Sequence, residues 1–391
     1  MNGTQPSPPP VVKPPRINPT MWTGLYSSQL KTRRRRGPSL ASRVMMILGQ
    51  TAAGLFIAGT MLGDGVVPTL MGTGVAFIAV CVYLTLWLWL DRYDPEPPWL
   101  LMSAFLWGAG VAALVAGLVN GVAAASINVL LGSGGSSLAA VVSAPFIEEG
   151  MKGLGVVIIL VFMRHEFDGV LDGITYAGVI GLGFAAVENV EYYARAFVSH
   201  GSNGLAVVFV LRGLFTPFMH ALFTSMIGIG CGFARGAKSG SQRAVYIFIG
   251  YLCAVTLHML HNLTAELSLF SAYYLFVELP LFISLVVFAL RVNASEMQIV
   301  RTMLRSETFS GVITPQQLII LGSSSKRNMW VAAAARNRTV HSNRQTFLHV
   351  AHQLAMNLYH LSLSTSVPER SEYLEEINSL RAEAVQLQSA I

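Results

Sequence analysis

Ionisable side chains occur inside the apolar part of this sequence, in types that suit hydrolytic chemistry. Most of them lie in four short motifs, SAPFIEEGMK, GFAAVEN, PFMHAL and HMLHN. A carboxylate can take a proton from water as a general base, and an imidazole can assist it or hold a metal ion. The candidate catalytic residues are therefore Glu148, Glu149, Glu188, His220, His258 and Asn262.

The spacing within the first and last motifs limits what their side chains can do. Glu148 and Glu149 are adjacent, so on a helix they point about 100° apart. We therefore expect one to face the reacting centre and the other to pack behind it, and which of them is the base stays open. His258 and Asn262 share one helix face, which suits holding a metal ion or an oxyanion.

Two mechanisms fit these residue types. One uses a divalent metal ion, and zinc is the candidate because carboxylates and imidazoles are among its usual ligands. The other is metal-free acid–base catalysis by the same groups. The sequence contains no HExxH motif, so the choice stays open. The expected ligands, should a metal bind, are Glu149, Glu188, His220 and His258, with Glu148 able to replace Glu149.

Length and composition indicate which elements hold these residues. The chain has 391 residues, of which 53% are hydrophobic and 12% charged, and its mean hydropathy is +0.55. Because soluble domains carry about 25% charged residues, a water-soluble enzyme is excluded. The net charge of +6 includes an arginine run at residues 33–36, directly before an apolar run. That position indicates a membrane topology signal rather than a nucleic-acid site.

Eight apolar runs have the length of about 20 residues that a helix needs to cross a bilayer. We therefore predict an all-α fold, a polytopic membrane bundle of about eight transmembrane helices in residues 44–290. Residues 1–43 are rich in Pro and Arg and are expected to be a disordered tail. Residues 291–391 are expected to be polar and partly helical, since EYLEEINSLRAEAVQL has amphipathic spacing. The predicted spans are 44–63, 66–90, 99–119, 138–163, 170–190, 205–234, 244–264 and 270–290.

Basic residues in the short loops set the orientation. With the N-terminus in the cytoplasm, the outer loops hold only Arg195, and the remaining loop lysines and arginines fall inside. An even number of spans returns the C-terminus to the same side. The sequence thus predicts a multi-pass plasma-membrane protein with both termini cytoplasmic, in contact with membrane lipid and not with nucleic acid.

Charge is unevenly distributed among the predicted spans. The first three contain no Asp, Glu, Lys, Arg or His, and charge inside a bilayer costs about 2.5–3.5 kcal/mol per group. Measured from the cytoplasmic ends of their spans, the candidate residues lie at roughly 21–27 Å by helix rise. They therefore share one layer, in which Lys152 and Arg212 are expected to pair with the carboxylates.

The motifs, taken in order, resemble those of the PrsW family of prokaryotic intramembrane proteases, which is related to the CAAX prenyl endopeptidases. The segment DRYDPEPPWLL at residues 91–101 resembles the usual entry to the family's third span. Across residues 80–290, the matched positions are Glu148, Glu149, Lys152, Phe184, Glu188, His220, His258 and Asn262. His261 departs from the pattern, where an aromatic such as Trp is expected, and we expect it to pack rather than ligate.

The resemblance implies an intramembrane endopeptidase that acts on a single-span membrane protein, such as an anchored anti-sigma factor. The depth of the polar layer adds the expectation that the cut falls near the extracytoplasmic side. Two alternatives use the same residues differently. Buried Glu, His and Lys would also serve a transporter or proton-coupled channel, and a non-catalytic membrane scaffold could retain the fold.

Overall fold

The computed structural model describes residues 38–92, 95–132 and 135–391. Every regular element in these ranges is a helix, which confirms the predicted all-α fold. The chain divides into two compact units after Asn293. Of the tail predicted for residues 1–43, residues 1–37 lie outside the described residues, and the first helix begins at Leu40, before the predicted Val44.

The first unit contains the membrane helices, which are joined by short turns. Ser39 and Ser239 cap the N-termini of α1 and α9, each accepting a hydrogen bond from the backbone N–H three residues on, at 3.1 Å and 3.2 Å. The helices that begin in this unit are α1 (Leu40–Asp64), α2 (Val66–Leu90), α3 (Pro98–Leu106), α4 (Ala113–Leu131), α5 (Gly135–Leu138), α6 (Ala144–Phe162), α7 (Val170–Val208), α8 (Phe218–Arg235), α9 (Gly240–Glu266), α10 (Phe270–Tyr273) and α11 (Leu279–Met303).

Within the described ranges, six helical segments are long and apolar enough to cross a membrane. One of them, Val170–Arg235, has 66 residues and folds back, so that α8 packs against α7. α6 carries Glu148, Glu149 and Lys152 and is not among the six. A polytopic helical membrane bundle is therefore confirmed, while the number of eight spans stays a prediction.

Close contact between α7 and α8 depends on glycine. A Cβ atom on Gly228 would lie 2.1 Å from the carbonyl oxygen of Gly173, and one on Gly181 would lie 2.6 Å from the carbonyl oxygen of His220. No side chain larger than hydrogen fits at these distances, so the two backbones touch. This packing places the start of α8, with His220, against the middle of α7.

Two buried tryptophans fix neighbouring helices through backbone carbonyls. Trp87 on α2 donates from Nε1 to the oxygen of Ile174 on α7 at 3.3 Å. Trp107, after α3, donates from Nε1 to the oxygen of Met151 on α6 at 2.9 Å. Each bond satisfies the polar atom of a large apolar side chain, so Trp87 ties α2 to α7 and Trp107 ties the segment after α3 to α6.

π-helical turns interrupt the helices next to the site. A π-turn inserts one residue into the helical ladder and changes the direction in which side chains point. Arg212 lies within one of these turns and Glu278 ends another. The π-turns in the described part of the chain are Trp107–Ala112, Ala139–Ser143, Phe209–Phe215 and Tyr274–Glu278.

The second unit, residues 294–391, has a hydrophobic core of its own. A helix covers the segment for which an amphipathic helix is predicted: it spans Val367–Gln388 and buries Tyr373, Ile377 and Leu380. The core also includes Phe347 and residues near it on the preceding long helix. The helices wholly within this unit are α12 (Pro315–Leu321), α13 (Ser324–Ala332), α14 (Arg338–Leu363) and α15 (Val367–Gln388).

Candidate active site

Glu149 is the most enclosed of the candidate carboxylates, and both of its oxygens are bonded. Oε1 lies 2.7 Å from Lys152 Nζ and 3.0 Å from His258 Nδ1. Oε2 accepts a hydrogen bond from the Thr224 hydroxyl at 3.0 Å. With 0% exposure, Glu149 holds its neighbours in place and does not border the open space of the site.

Lys152 connects Glu149 to a second imidazole. Its Nζ atom lies 3.0 Å from His220 Nδ1 and 3.6 Å from Glu148 Oε2, and it sits 4.0 Å from the centroid of the Phe184 ring. An ammonium group has only donors, so Nδ1 of His220 accepts here. The buried charge of Lys152 is therefore balanced by carboxylates on both sides.

His220 and Arg212 converge on Glu188. His220 Nε2 lies 2.9 Å from Glu188 Oε2, and Arg212 Nη2 donates to the same oxygen at 2.6 Å. Arg212 Nε also donates to Asn189 Oδ1 at 2.8 Å, and its guanidinium stacks 3.8 Å from the centroid of the Tyr192 ring. Arg212 thus fixes Glu188 through its planar fork.

Glu148 differs from Glu149 in facing the open space with an unbonded oxygen. Oε1 accepts a hydrogen bond from Asn120 Nδ2 at 3.2 Å. Oε2 is buried without a hydrogen-bond partner among the described residues and lies 3.8 Å from His258 Nε2. The sequence predicts that one acid faces the centre and the other packs behind it. In the structure Glu148 lines the cavity, and Glu149 lies behind it. Unexpectedly, both still contact Lys152 and His258.

These side chains border a cavity of about 810 Å³ lined by residues of the first unit. Glu148, Glu188, His220 and His258 line it, whereas Glu149 does not. The His220 and His258 rings stand edge to face, with centroids 5.4 Å apart. A cavity of this size has room for an extended peptide segment beside the catalytic groups.

One group in the cavity has the composition and spacing of a metal site. Glu148, His220 and His258 are all buried, and each offers a ligand atom within 4.8 Å of the others. Two of its members, His220 and His258, belong to the predicted ligand set, and the third is Glu148, the predicted replacement for Glu149; Glu149 and Glu188 are not in the group. The difference follows from hydrogen bonding, since Lys152, Thr224 and His258 already occupy the Glu149 oxygens.

At two positions near the end of α9, side chains contact groups that lie outside the motifs. Asn262, predicted to hold an oxyanion or a metal, donates from Nδ2 to the carbonyl oxygen of Ala140 at 2.8 Å, although it borders the cavity. His261 packs, as expected, between Phe223 and Phe270, with ring centroids 5.9 and 5.3 Å away. It also contacts a carboxylate that the motifs do not include.

Asn120 and Thr224 are site residues that the sequence did not reveal. Asn120 lies in an apolar run of small residues, and Thr224 follows His220 by one turn of α8. The spacing of Thr224 from His220 on the same helix face is a signal that could have identified it. For Asn120, its polarity within an otherwise apolar span is the only cue in the sequence.

Comparisons with known proteins point in one direction. A family model described as PrsW family intramembrane metalloprotease matches residues 96–289. The protein named Protease PrsW from Clostridioides difficile (strain 630) is 30% identical over 168 residues, which cover 43% of this chain and 68% of that protein. No solved structure matches the chain.

Two further relatives carry the same name. Protease PrsW from Geobacillus kaustophilus (strain HTA426) is 29% identical over 203 residues, 52% of this chain and 78% of that protein. Protease PrsW from Oceanobacillus iheyensis (strain DSM 14371) is 27% identical over 187 residues, 48% of this chain and 80% of that protein. The matched family segment includes every candidate catalytic residue.

Proposed function

Because this chain belongs to the PrsW family of intramembrane proteases, we propose that it cleaves single-span membrane proteins in the cavity lined by Glu148, His220 and His258. Membership of a protease family favours proteolysis over the transporter and scaffold alternatives. The substrate class is a membrane-anchored protein, of which an anti-sigma factor is the example that the resemblance suggests. The proposed site of cutting is near the extracytoplasmic face.

The observation that carries this proposal is the unbonded oxygen of Glu148. A buried carboxylate oxygen without a donor is costly, and Oε2 faces the cavity 3.8 Å from His258 Nε2. The Nδ1 proton of His258 is held by Glu149, so Nε2 presents its lone pair. Two acceptors at this separation call for a cation or a water molecule between them.

The donor set fits a divalent metal ion, and zinc is the ion we propose. A carboxylate with two imidazoles is a common catalytic zinc set, and it leaves a coordination position open. Glu148, His220 and His258 would hold the ion, and His220 would exchange one of its two hydrogen bonds to do so. When bound there, the ion would supply Lewis acidity, which lowers the pKa of a water and polarises a carbonyl.

The remaining residues of the site have roles that follow from their contacts. Glu149 fixes the ring orientation of His258, as carboxylates behind metal-bound imidazoles do. Glu188 lines the cavity beside His220 and is the carboxylate we assign to accept the proton of the attacking water. Arg212 positions Glu188, and Lys152 compensates the charge of Glu149 within the low-dielectric interior.

A metal-free mechanism is the second candidate, and Lys152 is the observation that favours it. Its ammonium lies within 3.6 Å of Glu148 and 3.0 Å of His220, where it already supplies positive charge. In this mechanism Glu148 Oε2 takes the proton of the attacking water and passes it to His258 Nε2, which then has an N–H to donate to the oxyanion. Glu148 is essential to both candidates, so metal content separates them.

The decisive experiment measures bound metal and proteolysis on the same purified protein. The probe is a reporter with one transmembrane helix, a Gly-Pro pair in its outer third and a different tag at each end. We expect about one zinc per chain, which His258→Ala loses and which the exposed control His200→Gln retains. Chelation should stop cleavage and zinc should restore it. Full cleavage by metal-free protein would select the metal-free mechanism, and absence of cleavage by any preparation would overturn the proposal.

The position of the cut follows from the depth of the site. By helix rise, Glu148 lies roughly 21 Å from the C-terminal end of α6, and His220 roughly 22 Å from the C-terminal end of α8. Both of these ends are predicted to be cytoplasmic, and the hydrocarbon core is about 30 Å thick. A substrate helix must unwind before its carbonyl can be attacked, and water satisfies the freed groups most readily near a helix end. Product termini of the same reporter, mapped by mass spectrometry, should lie in its outer third. Termini on the cytoplasmic side would contradict the depth argument.

A further inference from the structure

A second imidazole–carboxylate pair lies in the wall of the cavity. His261 Nδ1 is 2.8 Å from Glu278 Oε1. His261 follows His258 by one turn of α9 and borders the cavity, while Glu278 ends the π-turn that precedes α11. Neither residue belongs to the group of Glu148, His220 and His258.

The pair is more polar than packing requires. Glu278 is 0% exposed, and its Oε2 has no hydrogen-bond partner within the described part of the chain. The aromatic rings of Phe223 and Phe270 flank His261. An apolar side chain would fill this place without the desolvation cost of a buried carboxylate. The retained polarity therefore points to something that His261 binds.

The carboxylate leaves one ring atom of His261 for a ligand. Glu278 accepts the Nδ1 proton, because a carboxylate oxygen has only lone pairs to offer. Nε2 is then the remaining polar atom of the ring, and no hydrogen bond to it occurs among the described residues. Because His261 borders the cavity, a molecule in the cavity can reach that atom.

The chemistry of the cavity identifies the ligand. An unwound substrate segment brings free backbone N–H and C=O groups into an apolar space, where each needs a partner. His258 and His261 have Cβ atoms about 5–6 Å apart by helix geometry, and an extended chain advances about 3.3–3.6 Å per residue. We propose that His261, held by Glu278, binds the backbone of the unwound substrate one or two residues from the scissile bond.

This subsite would fix the position of the substrate backbone along the cavity. By fixing one backbone group, His261 decides which peptide bond lies beside Glu148 and His258. Glu278 is a positioning residue that acts through His261. The inference rests on the proposed proteolysis in this cavity, and it concerns where the substrate is cut and how tightly it is held.

The test compares His261→Phe with His261→Gln on the single-span reporter described above. Phenylalanine keeps the ring but has no hydrogen-bonding group, whereas glutamine can bond both Glu278 and the substrate. We expect the wild type to produce one product terminus. His261→Phe should produce several neighbouring termini and raise KM about tenfold, and His261→Gln should restore the single terminus. Phe270→Leu is the matched control, because it removes a ring that packs against His261 but keeps the pair of His261 and Glu278. It should keep the single terminus.

Glu278→Leu tests whether the pair acts as a unit. It should spread the product termini as His261→Phe does, and the double variant should be no worse than either single one. Should His261→Phe not fold, Glu278→Leu provides the same test. In the Glu148→Gln background, His261→Phe should weaken binding of the uncut reporter about tenfold. A single unchanged terminus with unchanged KM in both His261→Phe and Glu278→Leu overturns the subsite, whereas a wild type that cuts nothing overturns the proposed function instead.

Discussion

The Nδ1 atom of His258 lies 3.0 Å from Oε1 of Glu149. Glu149 therefore holds the imidazole ring that its neighbour in sequence, Glu148, faces. Glu148 Oε2 approaches the other nitrogen of the same ring at 3.8 Å. One imidazole thus separates an acid that is fully bonded from an acid that has an unbonded oxygen. Because both residues are glutamates, their different roles come from the different groups that surround them.

The two acids should respond differently to the same substitution. Glu149→Gln removes the charge opposite the buried Lys152, and breaking such a pair costs about 3–5 kcal/mol. Glu148→Gln should leave the unfolding temperature in detergent close to that of the wild type while abolishing cleavage. Thr224→Val, which removes only the hydroxyl bond to Glu149, is the control and should cost about 1 kcal/mol. Equal stability of the Glu149→Gln variant and the wild type would show that Glu149 is not structural.

Arg212→Lys should lower activity although it keeps the charge. Arg212 donates to Glu188 and Asn189 from two different nitrogens, and a single ammonium cannot reproduce that fork. We expect a loss of kcat of about 10- to 100-fold, as for other residues that orient catalytic ligands. Arg195→Lys is the matched control. The Arg195 side chain is 63% exposed and pairs with Glu191, so this change should have little effect on activity. Activity equal to that of the wild type in Arg212→Lys would argue against the positioning role.

The glycine contact between α7 and α8 should tolerate no methyl group. In Gly228→Ala the new Cβ would meet the Gly173 carbonyl oxygen at 2.1 Å, so the helices must separate at a cost of about 1–3 kcal/mol. Because His220 lies on α8, cleavage should fall as well. Gly59→Ala on α1 is the control, since its Cβ meets no atom of the described residues within 4 Å. Thermal unfolding in detergent measures both variants, and equal midpoints would contradict the packing argument.

The predicted eight spans would place both chain ends on the cytoplasmic side. A reporter fused after Ile391 should therefore report the cytoplasm, and one inserted at the kink of α7 at Gly201 should report the outside. The physical basis is the excess of lysine and arginine in the predicted inner loops. An extracytoplasmic signal from the fusion after Ile391 would show that the number of spans is odd or the orientation reversed.

Much of the site could be predicted from sequence because a membrane makes polar residues conspicuous. Glu148, Glu188, His220 and His258 stand out in apolar helices, and the structure brings all of them to one cavity. Rotation around each helix could not be predicted, because it depends on packing against partners. That is why the sequence leaves Glu148 and Glu149 as alternative ligands, whereas in the structure it is Glu148 that lies close to His220 and His258.

Local backbone detail was also beyond the sequence. The π-turn at Ala139–Ser143 places the carbonyl oxygen of Ala140 beside Asn262, and helix periodicity alone gives no sign of it. The pairing of His261 with Glu278 joins α9 to the π-turn before α11, and no motif contains both residues. Contacts of this kind join residues that are distant in sequence, so they become visible only in the folded structure.

The buried charges of α6 have a consequence for how the protein is made. Each charged residue at a helix centre opposes membrane insertion by about 2.5–3.5 kcal/mol, whereas a Leu, Ile, Phe or Val favours it by only about 0.3–0.6 kcal/mol. The groups beyond its own helix that donate hydrogen bonds to Glu149 are Thr224 and His258, and they belong to α8 and α9, which leave the ribosome later. We therefore expect a chain truncated after Phe162 to insert α6 poorly in a glycosylation-mapping assay, and a chain extended through α9 to insert it fully. The network that equips the cavity for hydrolysis thus also makes late-synthesised helices responsible for retaining an early one in the bilayer.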